Sequence, residues 1–252
     1  MKIYIATHKP YPFPKDNQMY IPIEVGSALR EKHFCTVLDN AGLDNISHKN
    51  KNFCELTAIY WMLKNNTSDY IGLMHYRRYF KLGAKREGRF YGKWNPESAM
   101  AKSDFLKILS NYDLIIPKRI RFQEKISCDY KKNHIYDDYI KVRDVIKDTS
   151  PEFIKYFDDF SNQYHIHTCN MFVMSSKHFE LCWQWIFSII FELERKTDIS
   201  QYDEYQRRVF GFISERLFNV WVLYAEDVLS LRAYECGVIN LEAKSKLSNI
   251  FE

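Results

Sequence analysis

Residues 53–80 read FCELTAIYWMLKNNTSDYIGLMHYRRYF, and three patterns follow one another within them. Leu56, Ile59, Tyr60 and Leu63 recur at helical spacing, so Phe53–Lys64 predicts an amphipathic helix, with cap residues offered upstream by Asp44, Asn45 and Ser47. Tyr70–Met74 is short and apolar, the pattern of a strand buried on both faces. His75–Phe80 (HYRRYF) then turns abruptly basic and aromatic. Helix, buried strand and a charged turn at the strand's end are the units of an α/β fold.

The same alternation continues on both sides. Lys2–Ala6 (KIYIA) predicts a first strand, with Thr7, His8 and Lys9 in a loop at its carboxyl end, where open α/β sheets bind ligands. Tyr11–Arg30 carries Pro12, Pro14 and Pro22, which argues for a functional loop or lid with no long regular element. Gly83–Pro96 predicts a flexible insertion. Further on, helices are expected at Ser103–Leu109, Asp137–Lys147, from Pro151, and at His178–Arg195. Strands are expected at Asp113–Ile116, ended by Pro117, and at Cys169–Met174. A turn at Gly211 and a helix from Ile213 complete the series. The fold class is therefore α/β, with a mainly parallel central sheet flanked by helices.

Composition narrows the function classes. The chain has 252 residues, 46% hydrophobic and 27% charged, enough for one large core and a soluble surface. A net charge of +4 gives no general case for a nucleic-acid partner. Its six cysteines include no CxxC pair, and reduced thiols in a cytoplasmic protein are the simple reading. Neither a signal-peptide core nor a run of about 20 apolar residues occurs, so cytoplasmic residence, with peripheral contact at the inner membrane face, is expected.

Two adjacent arginines beside a buried strand are costly unless an anion meets them. Arg77 and Arg78 could grip a diphosphate bidentately and stabilise it as a leaving group, or could be solvated and paired with nearby carboxylates. Composition leaves both open. His165, His167 and Cys169 hint weakly at a metal, for which no spacing supplies a fourth ligand.

DNISHKNKNFCELTAIYWMLKN (44–65) followed by DYIGLMHYRRYF (69–80) resembles the DUF4422 family of bacterial capsular and lipopolysaccharide glycosyltransferases. IYIATHKPYPFP at the start, YIPIEVG (20–26), YDLIIPKR (112–119), NMFVM (170–174) and GFISERLFNVWV (211–222) resemble family blocks in the same order, over roughly residues 1–225. The resemblance implies a GT-A-like, Rossmann-like domain over 1–225 that moves a sugar, galactose or galactofuranose among the candidates, from a UDP-sugar to an oligosaccharide or lipid-linked acceptor of a surface polysaccharide. Residues 226–252 depart from it, and either finish the domain or dock a partner.

On that analogy Thr7, His8, Lys9, His75 and Tyr76 meet the nucleotide or its phosphates, while Asn45, Asn50 and Glu55 shape the base and ribose side. Asn45 could equally cap a helix, and Glu55 could be a surface carboxylate. Most GT-A enzymes hold a divalent cation, Mg2+ or Mn2+, on an Asp-x-Asp loop. HYRRY stands there instead, so a site that requires no cofactor is expected, in which Arg77 and Arg78 take the cation's role, with a divalent cation that has His75 as a ligand as the alternative. A direct displacement needs one carboxylate to accept the acceptor's proton. Glu215 is the candidate, with an ion pair to Arg208 or Arg216 as its structural alternative. Asp137 and Asp138, near Tyr130 and His134, stand in reserve on the acceptor side, and Asn170 is expected to bond a sugar hydroxyl. Two other classes compete: a carbohydrate- or nucleotide-binding module without turnover, and an RNA-binding use of HYRRYF.

Overall fold

In the computed structural model, which describes residues 1–83, 88–89 and 99–242, strands and helices alternate from the first residues onward. The first half holds β1 (Lys2–Thr7), β2 (Tyr20–Glu24), β3 (Val37–Leu38), α1 (Asn50–Phe53), α2 (Leu56–Asn65), β4 (Tyr70–His75), β5 (Arg78–Lys81) and the two-residue β6 (Gly88–Arg89). Next come α3 (Lys102–Leu109), β7 (Leu114–Pro117), β8 (Ile120–Arg121), α4 (Ile126–Asn133), α5 (Tyr136–Thr149) and α6 (Ile154–Asn162). The chain continues through β9 (His165–Ile166), β10 (Phe172–Ser175), α7 (Ser176–Lys196), α8 (Val209–Asp227) and β11 (Ala233–Asn240).

The main sheet is mixed: the α/β class and a share of parallel pairing are as expected, and antiparallel pairings are added to them. The half β3-β2-β1-β4 is parallel throughout. Beyond it, β4 pairs antiparallel with β10 along its first residues and with β5 at His75↔Arg78. β10 pairs antiparallel with β7, β7 parallel with β11, and β11 antiparallel with β5, so the ladder leaves β4 and returns to it. The segment after residue 225, whose role the sequence left open, thus supplies a strand inside this sheet. Gly72 allows the junction: a Cβ there would lie 2.8 Å from the Phe172 carbonyl oxygen.

Alternation along the strands fills two cores. Ile3 and Ile5 of β1 face one, Tyr4 and Ala6 the other, and Leu114 and Ile116 of β7 likewise oppose Ile115. The larger core packs the sheet against α2, α5, α7 and α8, with Trp183 stacked on Phe218 at 5.8 Å and both close to Phe172. Side chains of this size contribute about 1.5–3 kcal/mol each on full burial, so these helices are held by their apolar faces.

Several local expectations change. Tyr11–Arg30 contains β2 despite Pro22, because β3 bonds only Ile23 and Glu24 and leaves the edge beside Pro22 without a strand. The single helix expected at 53–64 is broken at Cys54 (φ 52°, ψ −132°) into α1 and α2. The strand expected from Cys169 begins at Phe172, because Cys169 (φ 76°) and Asn170 (φ 49°) form a left-handed turn before it. The predicted turn at Gly211 is absent, since α8 starts at Val209 and runs through it. Gly83–Pro96 lies outside the described residues except at Gly83 and residues 88–89. Among the described residues no helix is long and apolar enough to cross a membrane.

Candidate active site

β1 and β4 lie side by side and end together, with Ala6 opposite His75. Their carboxyl ends open into a cleft of about 790 Å3 that is also bordered by the α1–α2 junction, the Cys169 turn and the first turns of α8. His8, Asn50, Glu55, His75, Tyr76, Arg77, Arg78, His134 and Glu215 all line it. Sequence segments more than 200 positions apart are thereby brought to one place.

One wall is cationic. Tyr76 and Arg77 form the tight connection between β4 and β5, and the Tyr76 N–H donates to the Ala6 carbonyl, extending the β1–β4 ladder into the turn. The buried Tyr76 ring meets His8 and Tyr11 edge-on at 5.0 and 5.1 Å, with Lys9 Nζ 5.0 Å and Arg77 Cζ 5.6 Å from its centre. Lys9 Nζ and Arg77 Nη1 both donate to the Glu242 carboxylate, at 2.9 and 2.8 Å. The carboxylate pairing that the sequence left open for the arginines therefore holds for Arg77, on the cleft's rim. Partial burial, then the charges of Lys9, Arg30 and Arg77, push the His8 pKa below its ordinary value. Thr7 is buried and acts from behind, its hydroxyl donating to the Lys9 carbonyl at 2.6 Å and so shaping the His8–Lys9 loop.

The floor is an anchored turn. His75 Nε2 lies 2.6 Å from the Cys169 carbonyl. A carbonyl only accepts, so Nε2 carries the proton. Burial, with Arg78 and Arg77 adding to it, holds His75 down at about 4, hence neutral at physiological pH. The Cys169 N–H donates to Glu215 Oε1 at 2.9 Å, and Asn170 Nδ2 donates to Glu55 Oε1 and Ser214 Oγ, both at 2.9 Å. Because Ser214 gives its own proton to the Gly211 carbonyl, its oxygen must accept from Asn170, which fixes the amide's orientation. Asn170 is thus buried beneath the floor, bonding protein groups.

The two carboxylates share this turn and are both titration-shifted. Burial raises the pKa of Glu55 and of Glu215. For Glu215, Arg216 at 3.3 Å opposes the rise and the charge of Glu55 adds to it. The ion pair expected as the structural alternative for Glu215 is present, yet its Oε1 also holds the Cys169 turn at the cleft.

The far end is aromatic. His134 stacks on Tyr205 (5.7 Å) and meets Phe212 at 4.2 Å, and Arg208 Cζ lies 5.4 Å from the Phe212 ring. Arg216 sits over Tyr130 at 5.3 Å, so Tyr130 supports the wall from a fully buried position. Burial and then Arg216 hold His134 at about 4. Asp137 is exposed on α5 and does not line the cleft. Asn45 is also outside it, its amide donating to the Asn40 and Gly42 carbonyls. It holds its own loop.

Among the described residues no group of three or more His, Cys, Asp or Glu side chains converges. Asp138 accepts from Tyr202, and Asp158 is forked by Arg143 at 2.8 Å. His167 Nδ1 lies 2.6 Å from the Pro117 carbonyl.

Tyr205, Arg208, Phe212 and Arg216 join the cleft without having been expected. Their spacing with Glu215 is helical, and a continuous helix through Gly211 would have placed them on one face. Gly211 is what lets α8 close on the α1–α2 junction: a Cβ there would lie 3.0 Å from Cys54 Sγ, which also meets Arg208 Nε at 3.3 Å.

With this geometry the comparisons become informative. No curated protein matches the chain. The apo structure of the bifunctional glycosyltransferase WbbM is similar to it, with a TM-score of 0.81 and 28% identity, over 97% of this chain and 46% of that one. The chain therefore spans less than half the length of that protein. A family model described as a domain of unknown function, DUF4422, matches residues 2–226, from β1 through almost all of α8, and the chain belongs to that family.

Proposed function

We propose that the chain is a glycosyltransferase with GT-A-like architecture, moving a sugar from a nucleoside diphosphate donor such as a UDP-sugar to a hydroxyl of an oligosaccharide or lipid-linked acceptor. The observation that carries this reading is one cleft in which a turn bearing two arginines faces two carboxylates of raised pKa. Similarity to a bifunctional glycosyltransferase over nearly the whole chain supports it. Galactose, in either ring form, is the sugar that the family resemblance suggests, and the cytoplasmic membrane face suits a lipid-linked acceptor.

In the proposed reaction the acceptor oxygen forms a bond to the anomeric carbon as the bond from that carbon to the diphosphate oxygen breaks. The acceptor's proton passes to Glu215. Its raised pKa brings the base nearer to neutrality, where proton transfer is most effective. The electron pair leaves on the nucleoside diphosphate, and Arg77 and Arg78 stabilise its growing charge. Arg208, Phe212, Tyr205 and His134 offer flat faces and a cation for a sugar ring or base.

The test is incubation of the purified protein with a panel of nucleotide sugars, in chelator and in Mn2+, with hydrolysis and transfer read by mass spectrometry. One donor is expected to be consumed in chelator, and Arg78→Ala is expected to slow its consumption at least 100-fold. Consumption of none, together with tight binding of a nucleotide sugar, would favour a binding module without turnover.

A further inference from the structure

We infer that Glu242 is an internal competitor for the donor's phosphates, an anionic stopper that sits between the cations of the cleft's rim until the donor displaces it. This rests on the proposed reading of the cleft as a phosphate-binding site, and it adds a residue that sets donor affinity.

The geometry is that of an occupied anion site. Glu242 Oε1 accepts from Lys9 Nζ at 2.9 Å and Oε2 from Arg77 Nη1 at 2.8 Å, one oxygen to each cation. A phosphate group offers the same pair of acceptor oxygens to the same donors. Lys9 comes from the loop after β1 and Arg77 from the β4–β5 turn, so the carboxylate ties together two elements that converge at the cleft mouth. These hydrogen bonds hold the Glu242 carboxyl below its usual range, so it is charged at neutral pH.

Backbone and side chain are anchored differently. The Leu241 N–H donates to the Arg77 carbonyl at 2.8 Å, and Asn240 pairs with Arg78 across the β11–β5 ladder. The Glu242 N–H is itself held by Asn240 Oδ1 at 3.1 Å. The Glu242 side chain is 31% exposed and reaches its partners through a flexible stem. Displacement therefore needs rotation of one side chain, with β11 left in place.

The consequence is a graded one. With Glu242 in place the cations beside Tyr76 are partly neutralised, and a weakly bound anion gains little by entering. A diphosphate carries more charge and more acceptor oxygens than one carboxylate, so it competes where a monoanion does not. Each half-exposed ion pair of this kind is modest, so removing the competitor should tighten phosphate binding by about threefold to tenfold.

UDP is titrated calorimetrically into the parent protein, Glu242→Gln and Arg77→Gln, at fixed ionic strength. The inference predicts that Glu242→Gln binds UDP threefold to tenfold more tightly than the parent while Arg77→Gln binds more weakly. Unchanged or weaker binding by Glu242→Gln, with Arg77→Gln still weakened, would overturn the stopper and leave the cleft reading intact. No UDP binding by parent or Glu242→Gln would sink both. A circular dichroism melt of each variant checks that the fold is retained, and Glu242→Ala, which removes the carboxylate without adding an amide, must shift affinity in the same direction.

Discussion

Replacing Glu215 by glutamine removes the proposed base at nearly constant shape, and its cost to the fold can be separated from its cost to the reaction. Glu215 Oε1 accepts from the Cys169 N–H at 2.9 Å and Oε2 pairs with Arg216 Nη1 at 3.3 Å. A glutamine has one acceptor oxygen, so it can keep one of these contacts and sets an N–H donor against the other. Arg216, with a side chain 7% exposed, retains the Phe212 carbonyl at 3.0 Å and the Tyr130 ring. Losing one such contact costs about 1–3 kcal/mol, and removing a carboxylate whose burial is itself unfavourable offsets part of that. A drop in Tm of about 2–12 °C follows, which leaves the protein folded at 25 °C. Transfer should fall far more, by roughly 10²–10⁴-fold in kcat, the usual share of a general base. The assay is initial-rate product formation by mass spectrometry, with UDP affinity measured in parallel. Transfer within threefold of the parent would refute the role of Glu215, and a loss that merely tracked weakened UDP binding would turn it into a positioning residue.

Gly211→Ala should gain about 1 kcal/mol of helix propensity, yet its Cβ meets Cys54 Sγ at 3.0 Å and Cβ at 3.2 Å. Cys54 is held by Asn50 through bonds of 2.8 and 2.7 Å, so the expected outcome is lower Tm and slower transfer as the neighbouring Glu55 shifts; higher Tm with full activity would contradict it. Glu55→Gln keeps an acceptor for Asn170 and removes a carboxylate whose folded pKa lies above its unfolded one. The folded parent therefore retains a proton that the unfolded chain has released. Parental stability is lost as pH rises from the ordinary Glu value through the raised one, and the variant should gain on the parent across that window in urea denaturation. The opposite slope would mean that Arg78 and Arg208 stabilise the ionised form more than burial opposes it.

How far the sequence could be read depended on whether a pattern was local. β1, β4, α3, α5 and α7 follow from apolar spacing alone, because each buries one face or both against partners that any α/β arrangement supplies. The mixed sheet was not legible. Val238 and Ile239 of β11 look like any short apolar run, and their place between β7 and β5 is fixed by pairing with strands more than 100 residues upstream. Cys54, Cys169 and Asn170 were misread for another reason: each adopts a positive φ that propensity disfavours, and tertiary contacts outweigh the strain.

The site divides along the same line. HYRRYF announced itself because charge beside a buried strand is improbable unless paired, and the structure puts it at the cleft with Glu55 and Glu215 across from it. Asn45, placed by the family resemblance, and Asp137, held in reserve as a carboxylate, do not join the cleft, because short polar side chains in loops and at helix ends mostly serve their own backbone. Arg208 and Phe212 were kept off the start of α8 by one wrong assumption about Gly211, while Arg216 was read only as an ion-pair partner of Glu215. Glycine was taken as a break, whereas here it is the one residue small enough for α8 to press against Cys54. Close approach of two backbones is a demand that three-dimensional packing makes on the sequence. A helix that must carry Arg208, Phe212 and Glu215 into the cleft accepts the propensity cost of glycine in its first turn, and that turn's contact with Cys54 is what aligns the carboxylate of α8 with the one that follows α1.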